Sequence, residues 1–241
     1  FEHVERAGVQ SGDSLAFFPS VSLSPSVKEV LVDYAGRIAR KASVVGLMNI
    51  QYVVEGDTVY VLEVNPRASR TVPVVSKVTG VPLIQWATQV QLGRRLKELA
   101  PKTGLLSEPS FYTLKAPIFS TAKLKDVDPV LGPEMKSTGE VIGLGYSKAE
   151  AVAKGLPEEM KLLQAKPAIL CAVADRDKKP LLSLFKKLAQ LGFSLVATRG
   201  TAQFLEEHGI PCQQVDHDVA AVEEVIKAGQ VGAVFNMANQ G

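Results

Sequence analysis

The segment beyond Pro157 alternates short apolar runs with amphipathic stretches, and this alternation constrains the fold more than any other feature of the sequence. Gly192 and Gly209 close two of the amphipathic stretches, as glycines do at helix ends. The pattern predicts strands at 167–174, 193–197, 210–215 and 231–236 and helices at 178–191, 201–208 and 219–228. Strands and helices that alternate at these lengths form a parallel sheet with helices on both faces. We therefore predict a doubly wound, Rossmann-like α/β domain over residues 161–241.

The segment before Pro157 mixes helical and strand patterns without a regular alternation. Between Ser24 and Gly46 apolar residues recur at intervals of three and four, which predicts an amphipathic helix. Ser147-x-x-Glu150 has the spacing of a capping box and predicts a helix that ends near Gly155. The other predicted elements are strands at 48–54, 58–64, 111–118 and 140–145 and a helix from Pro82 to the Arg94-Arg95 pair. We expect a mixed α+β domain over residues 1–160.

Three oxygen-bearing side chains are expected to meet on the hairpin that the strands at 48–54 and 58–64 form. With Glu55-Gly56-Asp57 taken as a three-residue connection, we expect Gln51 to lie directly opposite Glu63. Side chains alternate between the two faces of a strand, so Asn65 points the same way as Glu63. Such oxygen ligands suit Mg²⁺, which completes its shell with water and substrate phosphates. The hairpin therefore predicts a magnesium site.

Two arginines follow these residues along the chain. Arg67 and Arg70 leave the strand near the same end, and guanidinium groups bind phosphate or carboxylate oxygens. The spacing leaves a second interpretation open, in which the hairpin has an exposed polar face and the arginine pair is solvated.

Charge and composition exclude several classes of protein. The 27 Lys+Arg and 25 Asp+Glu residues give a net charge of +2, far from the positive field of a general nucleic-acid binder. Cys171 and Cys212 have no metal-ligand spacing with the histidines, so neither a zinc site nor a disulfide framework is expected. No apolar run approaches the roughly 18–20 residues that cross a bilayer, and no signal-peptide pattern is present. We expect a soluble, cytoplasmic protein.

The ends of the sequence predict a piece of a longer protein. The chain opens at Phe1 in what reads as half a strand, without an initiator Met, and it stops at Gly241 just after a predicted strand. The second domain is therefore expected to be truncated.

Several stretches resemble one known family in the same order along nearly the whole chain. They are residues 1–14 (FEHVERAGVQSGDS), 46–51 (GLMNIQ), 62–73 (LEVNPRASRTVP), 75–82 (VSKVTGVP) and 128–140 (DPVLGPEMKSTGE). They resemble the end of the second ATP-grasp half of the large subunit of carbamoyl phosphate synthetase. The segment that follows is similar to the methylglyoxal-synthase-like regulatory domain at the end of that subunit. The resemblance implies the C-terminal part of an ATP-grasp (α+β) domain followed by an allosteric domain.

The resemblance also implies roles for individual residues. It implies that Gln51 and Glu63 bind the Mg²⁺ or Mn²⁺ ions that bridge the ATP phosphates, that Asn65 is a further metal ligand, and that Arg67 lies near the transferred phosphoryl group. It implies that Gly8, Val9, Gln10 and Ser11 line the nucleotide. Relatives often have His where this chain has Gln10, and only His adds positive charge, so nucleotide affinity or its pH response is expected to differ.

An ATP-dependent ligase is the activity that the resemblance implies. In this family the second half phosphorylates carbamate to carbamoyl phosphate, the first half activates bicarbonate, and a glutamine amidotransferase small subunit supplies ammonia. The Gly-rich front of the ATP-grasp fold would precede Phe1, so this chain alone is expected to be inactive. An oligomer is expected as well. The sequence leaves open whether the enzyme serves arginine or pyrimidine synthesis and which effector binds.

The second domain has an anion-site pattern of its own. Thr198-Arg199-Gly200-Thr201 follows a predicted strand and opens a helix, which directs hydroxyls and backbone N–H groups toward the carboxyl edge of the sheet. An ordinary threonine cap explains the pattern equally well. Resemblance to the regulatory domain favours phosphate binding and adds Lys178 and Asn236 to the site. His217 and Ala238 stand where nucleotide-inhibited relatives tend to have Lys and Thr, which predicts weak recognition of a pyrimidine nucleotide.

The sequence also contains two weaker motifs and leaves three other functions open. Lys136-Ser137-Thr138 is similar to the tail of a P-loop, but Met135 stands where that loop needs Gly. Trp86 fits a core position better than a base-stacking one. The alternative functions are a non-catalytic ligand-binding regulatory module, a lyase of the methylglyoxal synthase type, and another ATP-grasp ligase such as a biotin carboxylase.

Overall fold

The computed structural model describes residues 1–100, 104–120, 130–216 and 218–237. The chain divides into two compact units, Phe1–Leu156 and Pro157–Gly241. The domain boundary expected between residues 160 and 161 stays a prediction.

The first unit combines an antiparallel sheet, a separate hairpin and several helices. The sheet has the strand order β1-β2-β5-β6, and the hairpin is formed by β3 and β4. The elements are β1 (Glu2–His3), β2 (Ala16–Phe18), α1 (Pro25–Lys41), β3 (Asn49–Glu55), β4 (Thr58–Asn65), α2 (Thr71–Thr79), α3 (Leu83–Gln91), α4 (Leu96–Leu99), β5 (Tyr112–Ile118), β6 (Gly139–Gly145) and α5 (Lys148–Gly155).

Helix α2 is absent from the elements that the sequence predicts. Six of its nine residues are β-branched valine or threonine, a composition that disfavours helix in isolation. Val72, Val74 and Val78 are buried, so packing against the rest of the unit stabilises the helix instead. The predicted helix from Pro82 is also shorter than expected. Helix α3 ends at Gln91, and Gly93, with a positive φ, separates it from the short α4.

The hairpin of β3 and β4 has the expected Gln51–Glu63 pair, but a β-bulge and not the length of the turn produces it. The connection is a two-residue turn, since Glu55 pairs with Thr58, and this register alone would set Gln51 opposite Leu62. Between Gln51 and Tyr52 the register shifts by one, because β4 has one extra residue there in a β-bulge. Gln51 therefore pairs with Glu63, and Asn49 pairs with Asn65. The predicted three-residue connection is therefore wrong, and the predicted Gln51–Glu63 pair is present.

Serine hydroxyls cap two helices of this unit, one of them at the predicted capping box. The Ser24 hydroxyl accepts a hydrogen bond from the backbone N–H of Val27 and begins α1. The Ser147 hydroxyl accepts from the N–H of Glu150 at 3.1 Å and begins α5. The Glu150 carboxylate reaches the N–H of Tyr146 at 2.8 Å, one residue before the cap, so the box is a variant of the usual reciprocal pair.

The second unit is the doubly wound α/β domain that the alternation predicts. Its parallel sheet has the order β10-β7-β8-β9. Residues of α7 and α8 pack on one face around Phe185 and Leu205, and residues of α9 pack on the other against Leu170 and Val196. The elements are α6 (Pro157–Ala165), β7 (Ala168–Val173), α7 (Asp175–Gln190), β8 (Ser194–Thr198), α8 (Arg199–Glu207), β9 (Gln213–Val215), α9 (Val219–Lys227) and β10 (Val231–Met237).

Two helices of this unit differ from expectation at their N-terminal ends. Helix α7 begins at Asp175 rather than 178, because Asp175 and Asp177 suit the positive end of a helix dipole and Pro180 is accommodated inside the helix. Helix α8 begins at Arg199 rather than 201. None of the described helices combines the length and the apolar character needed to cross a membrane.

Candidate functional site

A cavity of about 510 Å³ lies in the first unit beside the hairpin. Its walls include β3, residues of α2, and the loop between β1 and β2, and Lys115 of β5 also faces it. Three of the four loop residues expected to line a nucleotide, Gly8, Val9 and Ser11, lie on its wall, together with Gln51. Burial, with the positive charge of Lys115 nearby, lowers the pKa of His3 in the same wall to about 4, so that imidazole is neutral at pH 7.

The three predicted metal ligands converge on the hairpin. Nε2 of Gln51 donates a short hydrogen bond to Oε1 of Glu63, and Nδ2 of Asn65 donates to the same oxygen at 2.9 Å. Nε2 of Gln51 also donates to the Ser11 hydroxyl at 3.1 Å, which joins the hairpin to the loop. The period-two placement of Glu63 and Asn65 thus brings both side chains to one point on the face of the hairpin.

The chemistry of this donor set fits a hard divalent cation. Rotating the two terminal amides by 180° replaces their N–H groups with carbonyl oxygens and leaves three oxygens facing one point. One carboxylate is sufficient for Mg²⁺ when phosphate oxygens and water supply the other ligands. Within the described part of the chain no group of three or more His, Cys, Asp and Glu side chains is placed to hold a metal, so the amides of Gln51 and Asn65 would have to contribute.

The two arginines after the hairpin have different surroundings. Arg67 is exposed, and its Nη1 donates to the carbonyl oxygen of Ala68 at 2.9 Å. Arg70 turns inward, where its guanidinium donates to the Ser137 hydroxyl and to the carbonyl oxygen of Gly139, both at 2.9 Å. Its Nε lies 3.5 Å from the Glu140 carboxylate. Of the expected pair, Arg67 is the more exposed, and Arg70 is bonded to residues of the segment at 137–140.

Gln10 is turned away from the cavity. Its side-chain carbonyl accepts a short hydrogen bond from the N–H of Gly12, and its own N–H donates to the carbonyl oxygen of Gly132 at 2.8 Å. The side chain therefore stabilises the turn at Ser11 and Gly12. That residue 10 lines the nucleotide, as the resemblance implies, stays a prediction.

The buried carboxylate of Asp13 accepts hydrogen bonds from two backbone N–H groups of the segment that is similar to the tail of a P-loop, residues 136–138. Asp13 is fully buried and accepts hydrogen bonds from the N–H groups of Lys136, at 2.7 Å, and Ser137, at 2.9 Å. Burial alone raises the pKa of Asp13, but the hydrogen bonds from Ser137 and Lys136 outweigh this effect and lower it below its ordinary value. These N–H groups are thus occupied by the protein's own carboxylate.

Sequence reasoning missed the charged residues behind this loop. Lys115, Arg70 and Glu140 lie together with Asp13 beneath Ser11 and Gly12. The signal that could have found them is Lys115 itself, a lysine between Leu114 and Ala116 in the middle of an apolar strand.

In the second unit, the predicted anion-site residues are close together and bonded to one another. The Lys178 ammonium donates to the carbonyl oxygen of Gly200 at 2.7 Å and pairs with the Asp175 carboxylate. The buried Thr201 hydroxyl accepts from the N–H of Val173 at 3.0 Å, which ties α8 to β7. Thr198 precedes α8 without a side-chain capping bond.

The remaining residues of that prediction are Asn236, on β10, and two positions that the structure does not describe. Asn236 is exposed on β10, next to Ala172 of β7. His217 and Ala238, the two departures expected to weaken nucleotide binding, lie outside the described residues, as do Asp128 and Pro129 of the recognised motif.

Two family models match the chain. Residues 3–99 match "Carbamoyl-phosphate synthase L chain, ATP binding domain", a range that includes the loop, the hairpin and Arg67. Residues 180–240 match "MGS-like domain". The first of these segments is similar to the ATP-binding domain of the carbamoyl-phosphate synthase L chain, and the second is similar to MGS-like domains. The resemblance seen in the sequence and the predicted fold class, ATP-grasp followed by a parallel α/β sheet, are both confirmed.

Parts of two solved carboxylase structures are also similar to this chain. One is a single-chain, multi-domain long-chain acyl-CoA carboxylase, with 18% identity, a TM-score of 0.46, and coverage of 61% of this chain and 19% of that one. Another is the biotin carboxylase domain of a single-chain bacterial carboxylase, with 18% identity, a TM-score of 0.44, and coverage of 63% and 39%. The chain thus spans well under half the length of either structure.

Proposed function

We propose that this chain is part of a carbamoyl phosphate synthetase large subunit and that its first unit supplies ATP- and metal-binding residues for the phosphorylation of carbamate. The observation that carries the proposal is the convergence of Gln51, Glu63 and Asn65 beside a cavity lined by the loop at Gly8 and Ser11. This arrangement lies within the segment that matches the ATP-binding domain model.

The residues of the site suit phosphoryl transfer, which depends mainly on positioning and on neutralising charge. Oxygens of Gln51, Glu63 and Asn65 would hold Mg²⁺ or Mn²⁺, and a bound ion neutralises phosphate charge. The exposed guanidinium of Arg67 is available to bind the transferred phosphoryl group. Gly8 has a φ of 103° and open space around its Cα, so its backbone can approach a ligand closely.

The partners and the regulation follow from the same proposal. Ammonia would come from a glutamine amidotransferase small subunit, and the complex would be oligomeric and cytoplasmic. The second unit would bind an allosteric effector that carries a phosphate, with Lys178, Thr198, Gly200, Thr201 and Asn236 as the proposed contacts. The backbone N–H groups at the start of α8 favour an anion there.

The test is the reverse reaction, ATP synthesis from carbamoyl phosphate and Mg·ADP, measured in the complete large subunit. Glu63→Ala removes the only carboxylate of the proposed metal site, so we expect the rate to fall by more than the roughly 10- to 100-fold loss typical of residues that only support a ligand. Glu55→Ala is the matched control, because Glu55 is an exposed glutamate at the turn end of the same hairpin. Its rate should equal that of the wild type.

Two results would contradict the proposal. Wild-type ATP synthesis in Glu63→Ala would exclude Glu63 as a metal ligand. A wild-type subunit that binds Mg·ADP but phosphorylates a different carboxylate in preference to carbamate would support the proposed ATP site. The same result would show that carbamate is not the substrate.

A further inference from the structure

Lys115 is an almost completely buried lysine on β5, an inner strand of the antiparallel sheet of the first unit. Its side chain is 2% exposed, on β5 between Leu114 and Ala116. Lysine is among the residues least often found fully buried, because removing an ammonium group from water costs several kcal/mol unless the protein replaces the lost hydrogen bonds. The contacts that replace them therefore show what the residue does.

The hydrogen bonds of Lys115 go to a loop. Nζ donates to the carbonyl oxygens of Ser11, at 3.0 Å, and Gly12, at 3.3 Å. The nearest carboxylate oxygen, Oε1 of Glu140, lies 3.8 Å away and has no hydrogen-bond partner although it is buried. This oxygen lies closer to Nε of Arg70, at 3.5 Å, than to Lys115, and the hydrogen bonds of Lys115 go to the loop.

The loop in turn holds the hairpin cluster. The Ser11 hydroxyl accepts from Nε2 of Gln51 at 3.1 Å, and Gln51 contacts Glu63 directly. The same turn is fixed from its other side by Gln10, whose side chain accepts from the N–H of Gly12. Lys115 is therefore two hydrogen-bonded steps from the proposed metal ligands and touches none of them.

We propose that Lys115 is a positioning residue of the nucleotide site, which holds the carbonyl groups of Ser11 and Gly12 so that the Ser11 hydroxyl orients Gln51 toward Glu63. The part that concerns the metal and the nucleotide rests on the function proposed above. The part that concerns the loop does not.

The test separates loop order from nucleotide use. Lys115→Met keeps the length and apolar stem of the side chain and removes its donors. We expect amide hydrogen exchange in residues 8–13 of the 241-residue protein to accelerate at least about tenfold, as a loop that has lost its anchoring bonds opens more often. In the complete large subunit we expect the KM for Mg·ADP to rise about 10- to 100-fold, the loss typical when a ligand's supporting partner is removed.

Two further variants keep the result interpretable. Lys154→Met changes an exposed lysine of α5 and should alter neither readout. Lys115→Met combined with Glu140→Gln removes both partners of the Lys115–Glu140 ion pair. We expect exchange in residues 8–13 to stay fast and the KM to stay high in this double variant.

Each outcome decides a separate point. Recovery of slow exchange and a low KM in the double variant would make Lys115 a charge partner of Glu140 and overturn the proposal, as would unchanged exchange in Lys115→Met. Fast exchange in Lys115→Met would support the role of Lys115 in holding the loop. If the wild-type large subunit makes no ATP from carbamoyl phosphate, the proposed function is wrong and the loop role still stands.

Discussion

Asp13 shows how one buried side chain holds two distant segments together. Its two carboxylate oxygens accept from successive backbone N–H groups, at Lys136 and Ser137. Asparagine cannot reproduce this arrangement, because its amide nitrogen would face one of the two N–H donors. We expect Asp13→Asn to lower the free energy of unfolding by about 2 kcal/mol at pH 7, measured by urea denaturation with Trp86 fluorescence. The protein contains one tryptophan, so this signal reports the first unit.

The pH dependence of that stability has a defined sign. The pKa of Asp13 is lower in the folded protein than its ordinary value of 3.8, so the carboxylate stabilises the fold at pH values above about 3.8. The contribution disappears as the pH falls from there through the folded pKa. The difference in stability between wild type and Asp13→Asn should therefore shrink below pH 4. A difference that stays constant down to pH 2 would contradict the role assigned to the ionised form.

Helix α5 lies unusually close to β6, and a glycine makes this possible. A Cβ at Gly143 would lie 2.1 Å from the carbonyl oxygen of Ala151 and 2.3 Å from the backbone nitrogen of Gly155. Both are backbone atoms that cannot move without shifting the helix. We expect Gly143→Ala to lower the free energy of unfolding by about 3 kcal/mol or more, again by urea denaturation.

Gly132 provides the matched control for this substitution. Nothing lies within 4 Å of the position that its Cβ would take, and its φ is not positive. Gly132→Ala should change the stability by less than about 0.5 kcal/mol. Equal losses in the two variants would show that the helix does not limit the space at Gly143.

The molecule as a whole consists of two compact units. We expect a ligand that binds one unit to raise the stability of that unit. If phosphate binds the second unit, a tenfold excess over its Kd adds about 1.4 kcal/mol to that unit. This would raise the midpoint of its thermal transition by about 5–10 °C. The transition should be visible in far-ultraviolet circular dichroism, and the midpoint from Trp86 fluorescence should stay unchanged.

Neighbouring lysines supply the control for the phosphate experiment. Lys178 is buried beside Gly200, whereas Lys179 is exposed on the next position of α7. Lys178→Met should abolish the phosphate response and Lys179→Met should keep it. Sodium chloride at matched ionic strength should have no effect on either midpoint. A shift of both transitions by phosphate would indicate a general salt effect instead of a site.

Patterns that act over a few residues were predictable from the sequence. The alternation of strands and helices in the second unit is one, because each element there buries its own apolar face against a neighbour in the same sheet. The caps at Ser24 and Ser147 are others, since cap and helix are local to each other. The contact between the Glu63 and Asn65 side chains was predictable too, because residues two apart on a strand lie on the same face.

Contacts between distant segments were decided only by the tertiary structure. The bulge that sets Gln51 opposite Glu63 has no sign in the turn sequence, and the β-branched helix α2 forms because its valines are buried. Lys115 lies 104 residues from Ser11, and Asp13 lies 124 residues from Ser137. Local propensity cannot show which buried charge meets which backbone group at such separations, because that choice depends on how the whole unit packs.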